Sequence, residues 1–229
     1  MKVIIYGVTG MIGQLALRES LRDPEVEHVL AIVRKPTTNQ HEKYQEIVLP
    51  DISDLSQIQD KVTGYDACFY LIGVRSAGMS EADYIHITYE LTIKAASQLV
   101  KLNPDMKMIY ITGMGVDSTE QGPELWARVE GKTENALLRL PFNGAYMLRP
   151  LVILPMHGVR SKTALYRILS NVLKPLHPLL KRMKWAITSE QLGQVIVHLA
   201  KTGTTKEVVE NEKLKEMALS IQKKDVLEN

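Results

Sequence analysis

The sequence predicts an α/β fold, a doubly wound parallel sheet in a single domain, and three observations lead to it. An apolar run of strand length, VIIY, opens the chain and meets a glycine-rich turn, GVTGMIG, which leads into the amphipathic stretch QLALRESLR. Further apolar runs then alternate with segments of helical period. Such alternation needs crossover connections, and hence parallel pairing with both sheet faces covered. The 229 residues, 45% of them hydrophobic, can bury one sizeable core, and no Pro-, Gly- or Ser-rich linker or break in composition divides them. Residues 1–229 are therefore expected to form one domain.

The elements follow in order. A strand beginning at residue 2 enters a helix through Gly7, Gly10 and Gly13, leaving backbone N–H groups at the helix N-terminus uncovered by side chains. A pyrophosphate can sit there against the positive end of the helix dipole. Glycines at this spacing also serve a plain tight turn. The second apolar run, EHVLAIVR at 27–34, argues for the ligand, because it completes a strand–helix–strand unit of about 30 residues. Further strands are read at YQEIVLP (44–50), DACFYLIG (66–73), KMIYITG (107–113) and GAYMLRPLVILP from 144. The clearest helix spans 81–102, capped by Ser80 and stopped by Asn103-Pro104. From 188, TSEQLGQVIVHLA reads as a helix with a Thr188/Gln191 capping box, and KEVVENEKLKEMALSIQKK as a short strand and a closing helix. Ligands of such sheets bind outside the carboxyl ends of the strands.

Composition narrows the function classes. A net charge of +2 predicts no strong affinity for nucleic acid. The single cysteine, Cys68, permits no internal disulfide and suits a reducing cytoplasm. A strand at residue 2 leaves no room for a secretory signal, and no apolar run reaches the roughly 18 residues of a membrane span. No His, Cys and carboxylate cluster has metal-ligand spacing, and no Ser-His-Asp order is legible. The expected partners are a nicotinamide cofactor and a small-molecule substrate, with no oligomeric state specified.

Charge at the end of the second strand bears on the cofactor. An acid there would accept from a ribose 2′-hydroxyl and repel a 2′-phosphate, whereas a guanidinium can hold that phosphate. The chain has Arg34, then Lys35, and no acid. Either the pair is simply solvated at a strand end, or it selects NADP(H) over NAD(H), with NAD still possible; the second is the expectation.

The motif GVTGMIG, with VRKP after the second strand, PDISD after the third, LIG after the fourth, ITGMG after the fifth and LRPLVILP after the sixth, resembles the short-chain dehydrogenase/reductase superfamily. The resemblance is to its atypical and extended Rossmann-fold branches, the NAD(P)-dependent epimerases and NmrA-like proteins, and runs through most of the chain. It implies a cofactor set of Gly7, Thr9, Gly10, Met11, Ile12, Gly13, Arg34, Asp51, Ile52 and Gly73. Asp51 and Ile52 would border the adenine, with Asp51 accepting from its exocyclic amine, and Gly73 would let the backbone pass close to the central phosphates and ribose. Arg149-Pro150 would lie near the nicotinamide. Asp51 reads equally as a turn residue before a helix capped by Ser53 or Asp54.

At the catalytic positions the chain departs from this superfamily, whose chemistry rests on a Tyr-x-x-x-Lys pair one helical turn apart, with a Ser or Thr after the fifth strand. The lysine lowers the tyrosine pKa from about 10 toward neutrality. In ELWARVEGKTENALL (124–138) Trp126 holds the tyrosine position and Glu130 the lysine position. An indole exchanges no proton at neutral pH, and a carboxylate opposes a nearby anion. Lys132 points to another helix face. Thr112, which could polarise a substrate carbonyl or only shape a turn, remains the catalytic candidate. Tyr84, His86, Tyr89 and His157 read as packing or loop residues before they read as proton carriers, and Thr88 stands where relatives place Asn or Asp.

Residues 157–187 form a second unusual region, with Arg160, Lys162, Arg167, Lys174, Lys181, Arg182 and Lys184 and no acid, broken by Pro175 and Pro178. It is expected to be a helical substrate-side segment or subunit contact; a membrane-surface role for 160–187 and a preference for an acidic substrate are the other readings. Two functions follow. One is an NADP(H)-dependent oxidoreductase or epimerase-like enzyme. The other is a non-catalytic NADP(H)-binding sensor, as the NmrA-like resemblance and the missing Tyr/Lys pair imply.

Overall fold

A computed structural model describes residues 1–156 and 185–227. Its central sheet has seven parallel strands in the order β3-β2-β1-β4-β5-β6-β9. These are β1 (Lys2–Tyr6), β2 (His28–Val33), β3 (Tyr44–Val48), β4 (Ala67–Tyr70), β5 (Lys107–Ile111), β6 (Ala145–Arg149) and β9 (Val208–Glu210). The first and last strands of the chain share this sheet, so it forms one doubly wound domain. Strand order reverses between β1 and β4, and the cleft outside their carboxyl ends is where such a sheet takes a ligand.

The apolar run of β1 is buried on both faces because its alternate residues feed two cores. Val3 and Ile5 pack with Ala16 and Leu17 of α1 (Met11–Arg22) and with Val195, Ile196 and Leu199 of α5 (Ser189–Thr202). Ile4 and Tyr6 face the other way, toward Leu99 of α3 (Leu91–Leu102) and Leu137 of α4 (Leu125–Leu138). The α6 helix (Asn211–Leu227) closes the chain. Thr188 caps α5 as expected: its hydroxyl accepts from Gln191 N at 3.1 Å, and the Gln191 side chain accepts from Thr188 N at 3.1 Å.

Four expectations need correction. The helix read over 81–102 is interrupted: α2 (Glu81–Ile85), capped by Ser80, passes through one π turn at His86–Glu90 before α3 begins. No α-helix follows Asp51, only a 3-10 turn at Gln59–Lys61. The carboxylates of Asp51 and Asp54 take the amides of Ser53 and Ser56 two residues on, local turns that compete with helix formation. The run from 144 divides at Pro150 into β6 and β7 (Val152–Leu154), and β7 pairs with β8 (Ala186–Thr188) in a separate two-stranded sheet. Residues 186 and 187, read as the end of the basic helical segment, are thus strand; 157–184, including His157, lie outside the described residues.

Candidate active site

The glycine turn is tight for a steric reason. Gly7 has φ +84°, and a Cβ on it would stand 2.6 Å from the carbonyl oxygen of Leu71 beyond β4. A Cβ on Gly13 would stand 2.0 Å from the Gly7 carbonyl oxygen. The turn therefore folds back onto the start of α1, with Gly10 N donating to Gly7 O at 2.9 Å and Gln14 N to Gly10 O at 2.9 Å. Gly10 caps α1 without a side-chain acceptor, and no acid occupies the first turn. The amides of Met11, Ile12 and Gly13 have no acceptor among the described residues, while Thr9 is exposed above them. This is the donor arrangement that a pyrophosphate completes.

Arg34 and Lys35 are exposed just past β2, with no hydrogen bond or ion pair to the described residues. The loop carrying them is fixed by Glu46 of β3, whose carboxylate accepts from Thr37 N at 3.0 Å, Thr37 Oγ1 at 2.7 Å and Tyr44 Oη at 2.9 Å. That acid is spent on the loop. Asp51 is more engaged than expected for an adenine acceptor: Lys94 Nζ of α3 donates to Oδ2 at 2.8 Å, and Ser53 takes Oδ1 through both its amide and its hydroxyl. The hydrogen bond from Lys94, aided by Ser53, holds the Asp51 carboxyl down to about 2. The turn reading of Asp51 is the one the structure displays, and Ile52 beside it is buried in the core. Gly73 is exposed, and a Cβ there would meet nothing within 4 Å among the described residues.

Beside this cleft lies a pocket of about 320 Å³, lined by residues 74–77 after β4, Tyr84 of α2, and Trp126 and Glu130 of α4. The two residues that replace the usual catalytic pair thus line the same cavity. The indole of Trp126 rests against the loop after β5, where a Cβ on Gly115 would stand 3.4 Å from its Cη2. Tyr84 Oη donates to Glu130 Oε1 at 3.3 Å, a loose contact of the kind common before substrate binds. Glu130 Oε2 is buried with no partner among the described residues. Burial pushes the Glu130 carboxyl up to about 7, and the neighbouring charge of Glu134 adds to this; the Tyr84 hydrogen bond, the charge of Arg149 and the Gly113 amide act the other way. Among the described residues no group of three His, Cys, Asp or Glu side chains is placed to hold a metal, and no helix is long and apolar enough to cross a membrane.

Residues 3–122, just over half the chain, match the model of the NAD dependent epimerase/dehydratase family. The chain belongs to this family. Its relatives include the leucinostatins biosynthesis cluster protein T of Purpureocillium lilacinum, 26% identical over 122 residues, which are 52% of this chain and 45% of that one. The chain thus spans under half of that protein. Protein FMP52, mitochondrial, of Candida albicans is 23% identical over 218 residues, 91% of each chain. Among solved structures, WbmF of Bordetella bronchiseptica in complex with NAD+ superposes with a TM-score of 0.64 at 16% identity, covering 97% of this chain and 77% of that one. At that identity the likeness is one of fold.

In this member of the epimerase/dehydratase family, the residues read as active-site neighbours after β5 and β6 have structural partners. The Thr112 hydroxyl donates to Glu134 Oε1 at 2.6 Å, so its one proton is spent on a buried carboxylate and not left for a substrate carbonyl. Arg149, expected near the nicotinamide, is buried: its Nε lies 3.1 Å from both oxygens of Glu134, its Nη2 also donates to Glu134, and Nη1 reaches Glu210 at 3.2 Å. Lys132 lies over the Tyr89 ring, 4.4 Å from its centroid, on another face of α4 as the helix period requires. His86 pairs with Glu90 at 2.8 Å on the surface. Sequence reasoning placed Tyr84 among several packing aromatics. No local signal separated it from them, because its contact with Glu130 joins residues 46 apart in the chain.

Proposed function

We propose that the chain is an NADP(H)-dependent oxidoreductase or epimerase-like enzyme acting on a small molecule in the cytoplasm. One observation carries the reading: three unpartnered amides at the start of α1, above a turn only glycine can make, flanked by an exposed Arg34 with no partner among the described residues. A bound nicotinamide would supply or accept hydride. The protein's own part is to hold the pyrophosphate on the Met11, Ile12 and Gly13 amides and the 2′-phosphate on Arg34, and to admit a substrate to the pocket beside Glu130. That pocket's volume suits a small ligand. The sensor reading loses ground because Tyr84 and Glu130 meet in the pocket where the usual pair is missing.

Replacing Arg34 with alanine is expected to weaken NADPH binding about ten- to a hundredfold while leaving NADH binding within about twofold. The loss follows from a charge-assisted contact worth about 1.5–3 kcal/mol, at 1.4 kcal/mol per tenfold. Fluorescence titration of both cofactors measures it. Equal NADPH affinity in the two proteins would refute the assignment of Arg34.

A further inference from the structure

Glu130 is out of place as a structural acid. Its Oε1 takes a loose hydrogen bond from Tyr84, the Gly113 amide adds a weak one, and Oε2 is buried without a partner among the described residues. A carboxylate left so is costly, because these few donors do not replace the water it lost. The cation that could neutralise it is committed elsewhere: Arg149 is held by Glu134, one turn further along α4, and by Glu210. The other groups facing it do not help. Tyr84 from α2 and Tyr110 from β5 are raised above their usual values by burial and stay neutral, Glu134 repels, and Arg75 stands exposed on the pocket wall. The neutral acid resolves the difficulty. With Oε1 accepting from Tyr84 and Oε2 without a partner among the described residues, the neutral carboxyl carries a proton that no described acceptor takes, on a residue lining the pocket.

We infer that Glu130 is the acid–base residue of this pocket, exchanging its carboxyl proton with the oxygen of a carbonyl or secondary-alcohol substrate, while Tyr84 holds the carboxyl in place. The assignment rests on the reading of the chain as a nicotinamide-dependent enzyme. A reduced nicotinamide, when bound, would supply hydride to the carbonyl carbon as the C=O π bond opens, and the oxygen takes the Glu130 carboxyl proton and becomes a hydroxyl. Glu130 is left as carboxylate, which a solvent proton restores, and the hydride donor would be left oxidised. The alcohol-oxidising direction reverses each transfer. Trp126, where the superfamily has its phenol, contributes only a wall. The proton donor has moved one turn along the helix.

Two measurements on the full-length protein test this. Carbon-13 NMR of protein labelled at glutamate carboxyls is expected to show one signal titrating near neutral pH that is missing in Glu130→Gln; a Glu130 signal titrating below pH 5 would overturn the inference. NADPH oxidation is then followed with 9,10-phenanthrenequinone and a panel of aldehydes and ketones between pH 5 and 9. The wild-type rate is expected to fall about tenfold per pH unit above neutrality, since the protonated acid is the donor. Glu130→Gln should lose about 100-fold or more in kcat with NADPH affinity and carbonyl KM within threefold. Tyr84→Phe, which removes a hydrogen bond to the carboxylate form, should move the pH midpoint upward, an effect that a packing role would not produce. A wild-type protein that binds NADPH but reduces none of the panel, or a Glu130→Gln variant with unchanged kcat, overturns the role of Glu130. Failure to bind either cofactor overturns the functional reading on which it rests.

Discussion

Replacing Glu134 with alanine is expected to lower the unfolding free energy by about 3–5 kcal/mol, the range for removing one partner of a buried ion pair. The Glu134 side chain is 1% exposed and that of Arg149 10%. Glu134 receives three hydrogen bonds from the guanidinium and one from Thr112, and Arg149 also donates to Ser118 Oγ at 2.7 Å. One carboxylate therefore joins α4 to the ends of β5 and β6, and through Arg149 to the loop after β5 and to β9. Without it the guanidinium keeps only Ser118 and a half-exposed Glu210, whose attraction water screens. Urea unfolding at neutral pH measures the loss. Glu134→Gln, which keeps the shape and one acceptor, should lose less, and a change below about 1 kcal/mol in the alanine variant would mean that Arg149 finds water instead.

The second large effect concerns the glycine turn. A methyl group on Gly13 cannot coexist with the Gly7 carbonyl 2.0 Å away, so Gly13→Ala must open the turn and tilt the first-turn amides of α1. Strain of this kind costs about 1–3 kcal/mol in stability. NADPH affinity should fall further, by a hundredfold or more, because the displaced amides are the proposed phosphate donors. Gly73→Ala separates the two effects. A Cβ there meets nothing within 4 Å among the described residues, so the melting temperature should stay within a degree or two while NADPH binding weakens. Thermal unfolding and cofactor titration on both variants check this pair, and a Gly13→Ala protein that binds NADPH normally would remove the turn from the cofactor site.

Much of the frame was legible locally. The VIIY run, the glycine spacing and the return of apolar runs are short-range patterns, and each of β1 to β6 lies within the residues that its run marked. The Thr188 capping box is likewise contained in four residues. Errors arose where side chains compete with a period. Asp51 and Asp54 turned an expected helix into Asx turns, and Pro150 sent one apolar run into two sheets. The π turn inserted into 81–102 leaves no mark in the hydrophobic pattern, because one widened turn barely shifts the apolar face.

The sequence by itself determined the parallel α/β architecture, the ligand turn at Gly7, Gly10 and Gly13, the basic Arg34 after β2, and the absence of a Tyr/Lys pair at Trp126 and Glu130. These depend on residue type and near-neighbour spacing. Tertiary structure alone decided what each polar group does. It gave the Thr112 proton to Glu134, buried Arg149 in an ion pair, tied Asp51 to Lys94, and brought Tyr84 to Glu130 across 46 residues of chain. Whether a carboxylate is a spent partner or a free acid depends on which donors and how much water surround it, and those are set by contacts between distant segments that no local pattern encodes.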